Sequence, residues 1–176
     1  DSYFIVVDGI DGAGKGVAVK AAVEYFRKQK KKRLFDLDEY GQKNHLHPQT
    51  KEKYSKKTGK LKDDYINFED IDVIQASEPT YTGIGNAIRN SIIKNKGEYS
   101  ARFTAEMYAA DRNVLYTQLL IPALNAGKIW VQSRSFSTSL IYQQIQAQEL
   151  KEAITIEQIL AFEGNQKAMQ NPPNLL

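Results

Sequence analysis

Residues 3–22 constrain this chain more than any other stretch, because they read in order as a buried strand, a glycine loop and a helix. The strand signal is a short apolar run at residues 3–7 that is rich in aromatic and β-branched side chains. Glycines within residues 9–14 let the backbone turn tightly and direct its N–H groups into one concavity. A helix follows directly, so its positive N-terminal end faces the same place.

The loop from Gly9 to Lys15 has the G-x-x-x-x-G-K pattern of a phosphate-binding loop. Lys15 adds a full positive charge that can reach a terminal phosphate. The serine or threonine that usually follows the lysine, and that ligates magnesium, is Gly16 here. A glycine-rich turn without a ligand is the simpler alternative. The order of strand, loop, lysine and helix favours the phosphate loop.

Composition limits the class of protein. The 176 residues suffice for one domain with a core, and 41% hydrophobic with 26% charged residues is typical of a globular protein. No apolar run is long enough to span a bilayer, and no signal peptide is visible at the N-terminus. The absence of cysteine excludes disulfides and thiol catalysis. A net charge of +3 does not by itself indicate nucleic-acid binding.

Alternating strand and helix signals continue along the chain. Further strands are predicted at 33–40, 71–76 and 129–131, and residues 174–176 look like the entry to one more. Helices are predicted at 17–30, 83–94, 100–126, 138–149 and from Thr155 to the prolines at 172–173. On the first helix an apolar face should pack on the sheet, and it consists of Val19, Ala22, Val23 and Phe26.

Residues 41–64 are polar, lysine-rich and nearly free of aliphatic side chains. We expect an inserted surface excursion there. His45 and His47 belong to it, and a solvated loop explains them more simply than a metal site. The lysines form either a solvated surface or a basic patch for nucleic acid or nucleotide phosphates, and the solvated surface is favoured.

The predicted helix at 100–126 carries one apolar stripe, which consists of Phe103, Met107, Ala110, Val114, Ile121 and Leu124. Tyr108 and Arg112 are four residues apart, so they share a face that lies roughly opposite this stripe. They form either a solvated surface pair or one wall of a pocket, with the ring stacking on a base. The residues alone leave both readings open.

Polar residues follow the predicted strands at their carboxyl ends, where open α/β sheets place ligands. Ser77, Glu78 and Pro79 follow the strand at 71–76. Arg134 follows the strand at 129–131, and an arginine beside a phosphate loop is well placed to clamp a phosphate.

Together, these motifs resemble the thymidylate kinase family of nucleoside monophosphate kinases. The resemblance covers most of the chain outside the excursion. Its motifs are Asp11-Gly12-Ala13-Gly14-Lys15, Ser77-Glu78-Pro79, Ala109-Ala110-Asp111-Arg112, Ser133-Arg134-Ser135 and Tyr142-Gln143. It implies the P-loop NTPase fold, a three-layer α/β/α arrangement with a central parallel sheet. It also implies a single kinase domain over 1–176, with the insertion at 41–64 and with the family's C-terminal strand and mobile lid absent from this chain.

The resemblance further implies an ATP-dependent kinase that uses Mg²⁺ and converts dTMP to dTDP. The catalytic residues would be Lys15 and Arg134. ATP would contact Asp11, Gly12, Ala13, Gly14, Lys15, Gly16 and Val17. The monophosphate would contact Asp11, Glu78, Pro79, Tyr108, Arg112, Arg134, Tyr142 and Gln143.

Individual roles follow from the same resemblance. Asp11 would face the deoxyribose 3′-hydroxyl, and Arg134 would grip the acceptor phosphate. Tyr108 would stack on the thymine and Arg112 would hydrogen-bond it. Tyr142 would close the sugar side against a ribose 2′-hydroxyl, with Gln143 nearby. The family resemblance also implies a cytoplasmic homodimer with no membrane partner.

The sequence departs from the family at three positions. Ser77 replaces an arginine that binds phosphate, Ser133 replaces an aspartate that helps organise magnesium, and Gly16 removes a hydroxyl ligand. No side chain is therefore assigned as a metal ligand, and Asp8 or Glu78 would reach the metal through water. The alternatives are a kinase for another nucleotide or deoxynucleoside, and a nucleotide-binding module with weak or lost catalysis.

Overall fold

Four parallel strands form the sheet in a computed structural model that describes residues 2–29, 32–50, 65–95 and 97–176. The strands are β1 (Tyr3–Val7), β2 (Leu34–Asp36), β3 (Val73–Ser77) and β4 (Ile129–Ser133). Their order across the sheet is β1-β4-β3-β2, so the loop after β1 lies beside the turn after β4. Each strand lies within or overlaps a run that the sequence predicted, but the prediction of a strand at 33–40 is wrong for residues 37–40, because a helix begins at Leu37.

The inner strand β4 carries Trp130, which pairs with Phe4 of β1 on one side and Ile74 of β3 on the other. Trp130 is fully buried, as expected for the middle of a parallel sheet. At the outer edge of β1, Leu175 forms a parallel bridge with Ile5. This bridge confirms the prediction that residues 174–176 are the entry to one more strand, which lies beside β1.

Eight α-helices surround the sheet in the described part of the chain. They are α1 (Lys15–Lys28), α2 (Leu37–Asn44), α3 (Gly83–Ala87), α4 (Ala101–Leu115), α5 (Ile121–Asn125), α6 (Phe136–Leu150), α7 (Ile156–Leu160) and α8 (Glu163–Gln170). π-Helical turns at Ile88–Ile92 and Tyr116–Leu120 prolong α3 and join α4 to α5, so the predicted helices run on across them. The predicted last helix is divided into α7 and α8. None of the described helices has the length and apolarity needed to cross a membrane.

Helices cover both faces of the sheet because neighbouring residues of a strand point to opposite sides. One face buries Phe4, Ile74 and Trp130 against the helical residues Leu115, Tyr116, Leu119, Leu120 and Ala123. The other face buries Ile5, Val73 and Val131 against Val19 and Val23 of α1, with Ala22 and Phe26 packed alongside. The predicted three-layer arrangement and the predicted inner face of α1 are confirmed.

The buried face of α4 differs from the apolar stripe that the sequence suggested. Ala101, Ala105 and Ala109 are buried, whereas Phe103 is 39% exposed. α4 packs against both α6 and α8, and alanines let helices approach closely. Arg112 consequently points inward and is only 1% exposed. Of the two alternatives for Tyr108 and Arg112, the solvated surface pair is therefore wrong, and Tyr108 lies in the wall of a cavity.

The predicted excursion at 41–64 begins inside a helix, because α2 continues to Asn44. His45 is exposed as expected, but His47 is buried and its Nε2 lies 2.9 Å from Oγ1 of Thr82. Burial lowers the pKa of His47 to about 4, so this imidazole is neutral at physiological pH. The solvated-loop expectation is therefore wrong for His47. The predictions for residues 51–64 lie outside the described residues.

Gly164 allows α8 to lie directly against α4. A Cβ at this position would lie 1.8 Å from the carbonyl oxygen of Ala109. Gly164→Ala is expected to lower the free energy of unfolding by about 1–3 kcal/mol, because the overlap outweighs the gain in helix propensity of about 1 kcal/mol. Urea unfolding measures this change, with the exposed Gln170→Ala as the control. Equal stability of the two variants would contradict the close packing.

Candidate active site

The carboxyl ends of β1, β3 and β4 meet at one edge of the sheet, and most predicted site residues lie at this edge or in the helices beside it. A cavity of about 420 Å³ opens there beside α4 and α6. This volume lies within the usual range for small-molecule sites. The predicted residues that line it are Asp11, Glu78, Tyr108, Arg134, Tyr142 and Gln143.

The glycine loop turns in the left-handed region at Gly12 and Gly14, where φ is 83° and 80°. Glycine adopts this conformation without steric cost. α1 begins at the next residue, so the positive end of a helix of 14 residues faces the loop. The Nζ of Lys15 donates to the carbonyl oxygens of Gly9, at 2.9 Å, and Ile10. The ammonium group therefore lies over the loop, within reach of a phosphate bound by it.

The other predicted ATP-binding residues, Ala13, Gly16 and Val17, are exposed. A Cβ added to Gly16 would meet no heavy atom within 4 Å, and its φ lies outside the left-handed region. A serine would therefore fit at position 16. The missing hydroxyl is a chemical difference from the usual loop and has no steric cause in this fold.

Asp11, Arg134 and Tyr142 converge between the loop and the cavity. Arg134 forms an ion pair with Asp11 through Nη2 and Oδ1. The guanidinium carbon lies 5.9 Å from the ring centroid of Tyr142, and the Tyr142 hydroxyl accepts a hydrogen bond of 3.3 Å from the Asp11 N–H. Lys15 Nζ lies 3.7 Å from the same Asp11 Oδ1. Two cations therefore flank one carboxylate at the junction of the loop and the cavity.

Tyr108 of α4 and Gln143 of α6 both line the cavity. Burial raises the pKa of Tyr108 above its ordinary value, so the phenol is neutral at physiological pH. Gln143 is 2% exposed, and its Oε1 has no hydrogen-bond partner among the described residues. An unsatisfied buried acceptor costs about 1–3 kcal/mol. An N–H group of a ligand in the cavity would satisfy it.

Arg112 lies behind the cavity wall rather than on it. Its Nε donates to Glu78 Oε2 at 2.8 Å, and its Nη2 donates to the Ser139 hydroxyl at 2.8 Å. Its Nη1 donates to the side chain of Asn165 on α8. Ser139 in turn lines the cavity. The structure thus connects Arg112 to the predicted base pocket through Ser139.

Glu78 is the carboxylate of this buried network and is 4% exposed. Its Oε1 accepts a hydrogen bond of 2.9 Å from Gln132, and its Oε2 accepts from Arg112. Burial raises the pKa of Glu78, and the Arg112 charge opposes that rise. The carbonyl of the next residue, Pro79, accepts a hydrogen bond of 2.9 Å from Arg89 Nε. Both residues of this turn are therefore engaged with arginines.

Ser77 has two partners that the sequence did not reveal. Its hydroxyl donates to Asp38 of α2 at 2.9 Å, and Arg89 Nη2 lies 3.2 Å from the same oxygen. Burial raises the pKa of Asp38 to about 6, although the Ser77 hydrogen bond opposes the rise. The sequence feature that could have indicated Arg89 is its position on the helix predicted at 83–94, which follows the Glu78–Pro79 turn. The guanidinium group of Arg89 thus lies beside Ser77, the position at which the family usually has an arginine.

Metal binding was predicted to depend on Asp8 or Glu78. Within the described ranges, no group of three or more His, Cys, Asp or Glu side chains is arranged to hold a metal. Both Glu78 oxygens are occupied by Gln132 and Arg112. Asp8 lies beside the first loop glycine among serine and threonine hydroxyls. These oxygen donors fit Mg²⁺, which binds few protein carboxylates and retains water.

Comparisons with known proteins show which family the chain resembles. The family model described as thymidylate kinase matches residues 51–160, more than half of the chain. A probable thymidylate kinase of Pyrococcus abyssi is 28% identical over 145 residues, which cover 80% of this chain and 51% of the relative. A thymidylate kinase of Anoxybacillus flavithermus is 33% identical over 109 residues, which cover 61% and 49%. The chain spans about half the length of these curated relatives.

A solved structure extends the likeness to the fold. The crystal structure of thymidylate kinase from Ehrlichia chaffeensis matches with a TM-score of 0.55, covering 99% of this chain and 89% of that one. At 17% identity, this match supports the predicted P-loop fold and carries no residue roles. The family match extends from residue 51 through β3, α4, β4 and α6, which supply most of the cavity wall. The chain belongs to the thymidylate kinase family.

Proposed function

We propose that the protein is a nucleoside monophosphate kinase that transfers the γ-phosphoryl group of ATP to dTMP, giving ADP and dTDP. The observation that carries the proposal is the pair of cations on either side of Asp11, with Lys15 over the glycine loop and Arg134 at the cavity. Two phosphate-binding groups at this junction suit a donor and an acceptor that meet there. Membership of the thymidylate kinase family supports the same reaction.

Phosphoryl transfer depends on in-line positioning and charge neutralisation and requires no general base for a phosphate acceptor. Lys15 and the loop N–H groups hold the ATP phosphates, and Arg134 holds the acceptor phosphate. Asp11 orients both cations and faces the deoxyribose 3′-hydroxyl. Asp8 would hold Mg²⁺ through water, and the cation would supply further neutralisation of the phosphate charge.

The cavity suits a pyrimidine monophosphate. The Tyr108 ring stacks on the base, and the free Gln143 acceptor matches the N3–H of thymine. Arg112 holds the Ser139 hydroxyl toward the base from behind the wall. Tyr142 closes the sugar side beside Asp11, where a ribose 2′-hydroxyl would be crowded. The Glu78–Pro79 turn borders the acceptor side.

A second candidate is a nucleotide-binding module with weak catalysis. The observation that favours it is the loss of the two side chains that usually organise magnesium, at Gly16 and Ser133. A kinase for another nucleotide or deoxynucleoside keeps the same loop but requires a different partner for Gln143.

ADP release from ATP and Mg²⁺ tests these candidates, using the full-length protein and a panel of dTMP, dUMP, dCMP, dGMP, AMP and UMP. We expect the highest kcat/KM with dTMP. Preference for another monophosphate would keep the kinase and overturn the base assignments. Nucleotide binding without turnover would establish the second candidate instead.

Tyr108→Ala is expected to raise the KM for dTMP about 5–100-fold, because base stacking on an aromatic ring contributes about 1–3 kcal/mol. The KM for ATP should stay the same, since Tyr108 lines the acceptor cavity and not the loop. Steady-state kinetics with each substrate varied measures both constants. The exposed Tyr25→Ala on α1 is the control, and a selective loss of ATP affinity in Tyr108→Ala would contradict the assignment.

The remaining predictions from the family concern assembly and location. We propose a homodimer that acts in the cytoplasm on soluble nucleotides, without a nucleic-acid partner. Light scattering of the full-length protein measures the assembly, and a mass of one chain would contradict the homodimer.

A further inference from the structure

Asp8, at the end of β1, is surrounded by hydroxyl groups from the turn after β4 and from α6. Its Oδ2 accepts a hydrogen bond from Ser137 and lies 3.4 Å from the Ser135 hydroxyl. Its Oδ1 accepts from Thr138 and, at 2.9 Å, from the N–H of Gly9. The hydroxyl cluster, defined as Asp8, Ser135, Ser137 and Thr138, joins residues that are 127 to 130 positions apart.

The hydroxyl cluster lies between the donor loop and the acceptor cavity. Gly9, the first glycine of the loop, donates to Asp8, while Ser135 and Thr138 line the cavity. The N–H of Arg134 donates to the Val7 carbonyl at 3.0 Å, which fixes the two strand ends beside each other. The phosphates of two nucleotides would meet at this place.

The carboxylate of Asp8 accepts hydrogen bonds from the N–H of Gly9 and from neighbouring hydroxyl groups, and it has no cationic partner among the described residues. An ionised carboxylate beside bound phosphates is repelled by them unless a cation lies between. The site therefore suits a divalent cation that the phosphates and Asp8 share.

A purely structural role as a helix cap explains the contacts less well. A capping side chain accepts from backbone N–H groups in the first turn of the helix. Asp8 accepts from α6 hydroxyl groups, and Ser135 at the N-cap position makes no side-chain capping bond. The hydroxyl oxygens of Ser135 and Ser137 lie 2.7 Å apart, so one of them accepts a hydrogen bond from the other. Because each hydroxyl oxygen has two lone pairs, both oxygens keep at least one for a cation or its water.

Two other carboxylates at this edge, Glu78 and Asp11, are each paired with an arginine. Glu78 is bound by Arg112 and Gln132 and is buried. Asp11 is paired with Arg134 and lies near Lys15. Asp8 instead accepts only from neutral donors among the described residues, has hydroxyl neighbours and lies beside the loop.

We infer that Asp8, with the hydroxyls of Ser137 and Ser135, organises the water shell of the nucleotide-bound divalent cation. The hydroxyl cluster takes the role that a loop hydroxyl at position 16 and a carboxylate at position 133 would otherwise fill. This inference rests on the proposed function, because it requires a metal–nucleotide complex at the glycine loop.

Binding of Mn²⁺ in the presence of ADP tests the inference without any turnover, using the full-length protein. Mn²⁺ shares the oxygen ligands of Mg²⁺, and its free concentration is measured by electron paramagnetic resonance. Asp8→Asn is expected to weaken Mn²⁺ binding to the ADP complex about 10–100-fold, and Ser137→Ala should weaken it in the same direction. ADP affinity in EDTA should stay equal or rise in Asp8→Asn, because a negative charge near the phosphates is removed.

Two further variants separate this role from a structural one. Asp70→Asn removes an exposed carboxylate away from the loop and should leave Mn²⁺ binding unchanged. Gly16→Ser, which fits sterically, should restore part of the Mn²⁺ affinity to Asp8→Asn.

Two outcomes would overturn the inference while the kinase proposal stands. One is an unchanged Mn²⁺ affinity in Asp8→Asn, and the other is a loss of ADP affinity in EDTA that equals the loss of Mn²⁺ affinity. If Asp8→Asn does not fold, Ser137→Ala decides in the same way. A wild-type protein that binds no ADP overturns both proposals.

Discussion

Lys15→Ala is expected to lower kcat for ADP release about 10²–10³-fold, the loss typical of one charge-stabilising donor at a reaction centre. The Lys15 ammonium lies over the loop on the carbonyls of Gly9 and Ile10, so it is already placed for the donor phosphates. Alanine removes this charge where negative charge is greatest in the transition state. The coupled ATPase assay with saturating dTMP measures the rate, and ADP titration measures the accompanying loss of affinity.

The side chain of Lys15 also binds its own loop, so the loss of charge must be separated from a loss of loop structure. Lys15→Met keeps the aliphatic length and should be as inactive as Lys15→Ala. Lys20→Ala on the exposed face of α1 should retain full activity. Both Lys15 variants lose the same two hydrogen bonds, each of which contributes about 1 kcal/mol, so thermal unfolding should change by the same small amount in the two. An active Lys15→Met variant would remove the phosphate-loop assignment.

The parts of the site that could be predicted follow from local pattern. Apolar runs gave the strands, and parallel strands place their carboxyl ends at one edge, which brought Asp11 and Arg134 together. The glycine loop and its lysine are contiguous in sequence, so their geometry needed no long-range information. The roles of Tyr108, Tyr142 and Gln143 came from the family resemblance, and the structure adds that all three line one cavity.

The parts that could not be predicted depend on contacts between distant residues. Arg112 points inward because α8 supplies its partner Asn165, which is 53 positions away in the sequence. The buried face of α4 consists largely of alanines, which give only a weak apolar signal in the sequence. His47 is buried because Thr82 reaches it from 35 positions further on. The hydroxyl cluster around Asp8 likewise joins two strand ends that only the sheet order brings together. Periodicity within one helix carries none of this information.

Glu78→Ala is expected to lower the free energy of unfolding by about 3–5 kcal/mol, since removing one member of a buried ion pair leaves the other charge uncompensated. The partner, Arg112, is 1% exposed and cannot reach water without moving α4 or α8. Gln132 would lose its acceptor at the same time. Urea unfolding of each variant measures the change, with Glu106→Ala on α4, whose side chain is 43% exposed, as the control.

The double variant Glu78→Ala with Arg112→Met distinguishes an uncompensated charge from lost packing. Replacing a buried ion pair by an apolar side chain is often close to neutral, so the double variant should regain much of the stability lost by Glu78→Ala. Its catalysis should stay impaired, because the Ser139 hydroxyl loses the donor that holds it at the cavity. Recovered stability with a raised KM for dTMP would mean that the buried pair is retained to shape the acceptor pocket. If both the stability and the KM for dTMP return to their original values, Arg112 has only a structural role. The contacts with the base would then come from Tyr108 and Gln143.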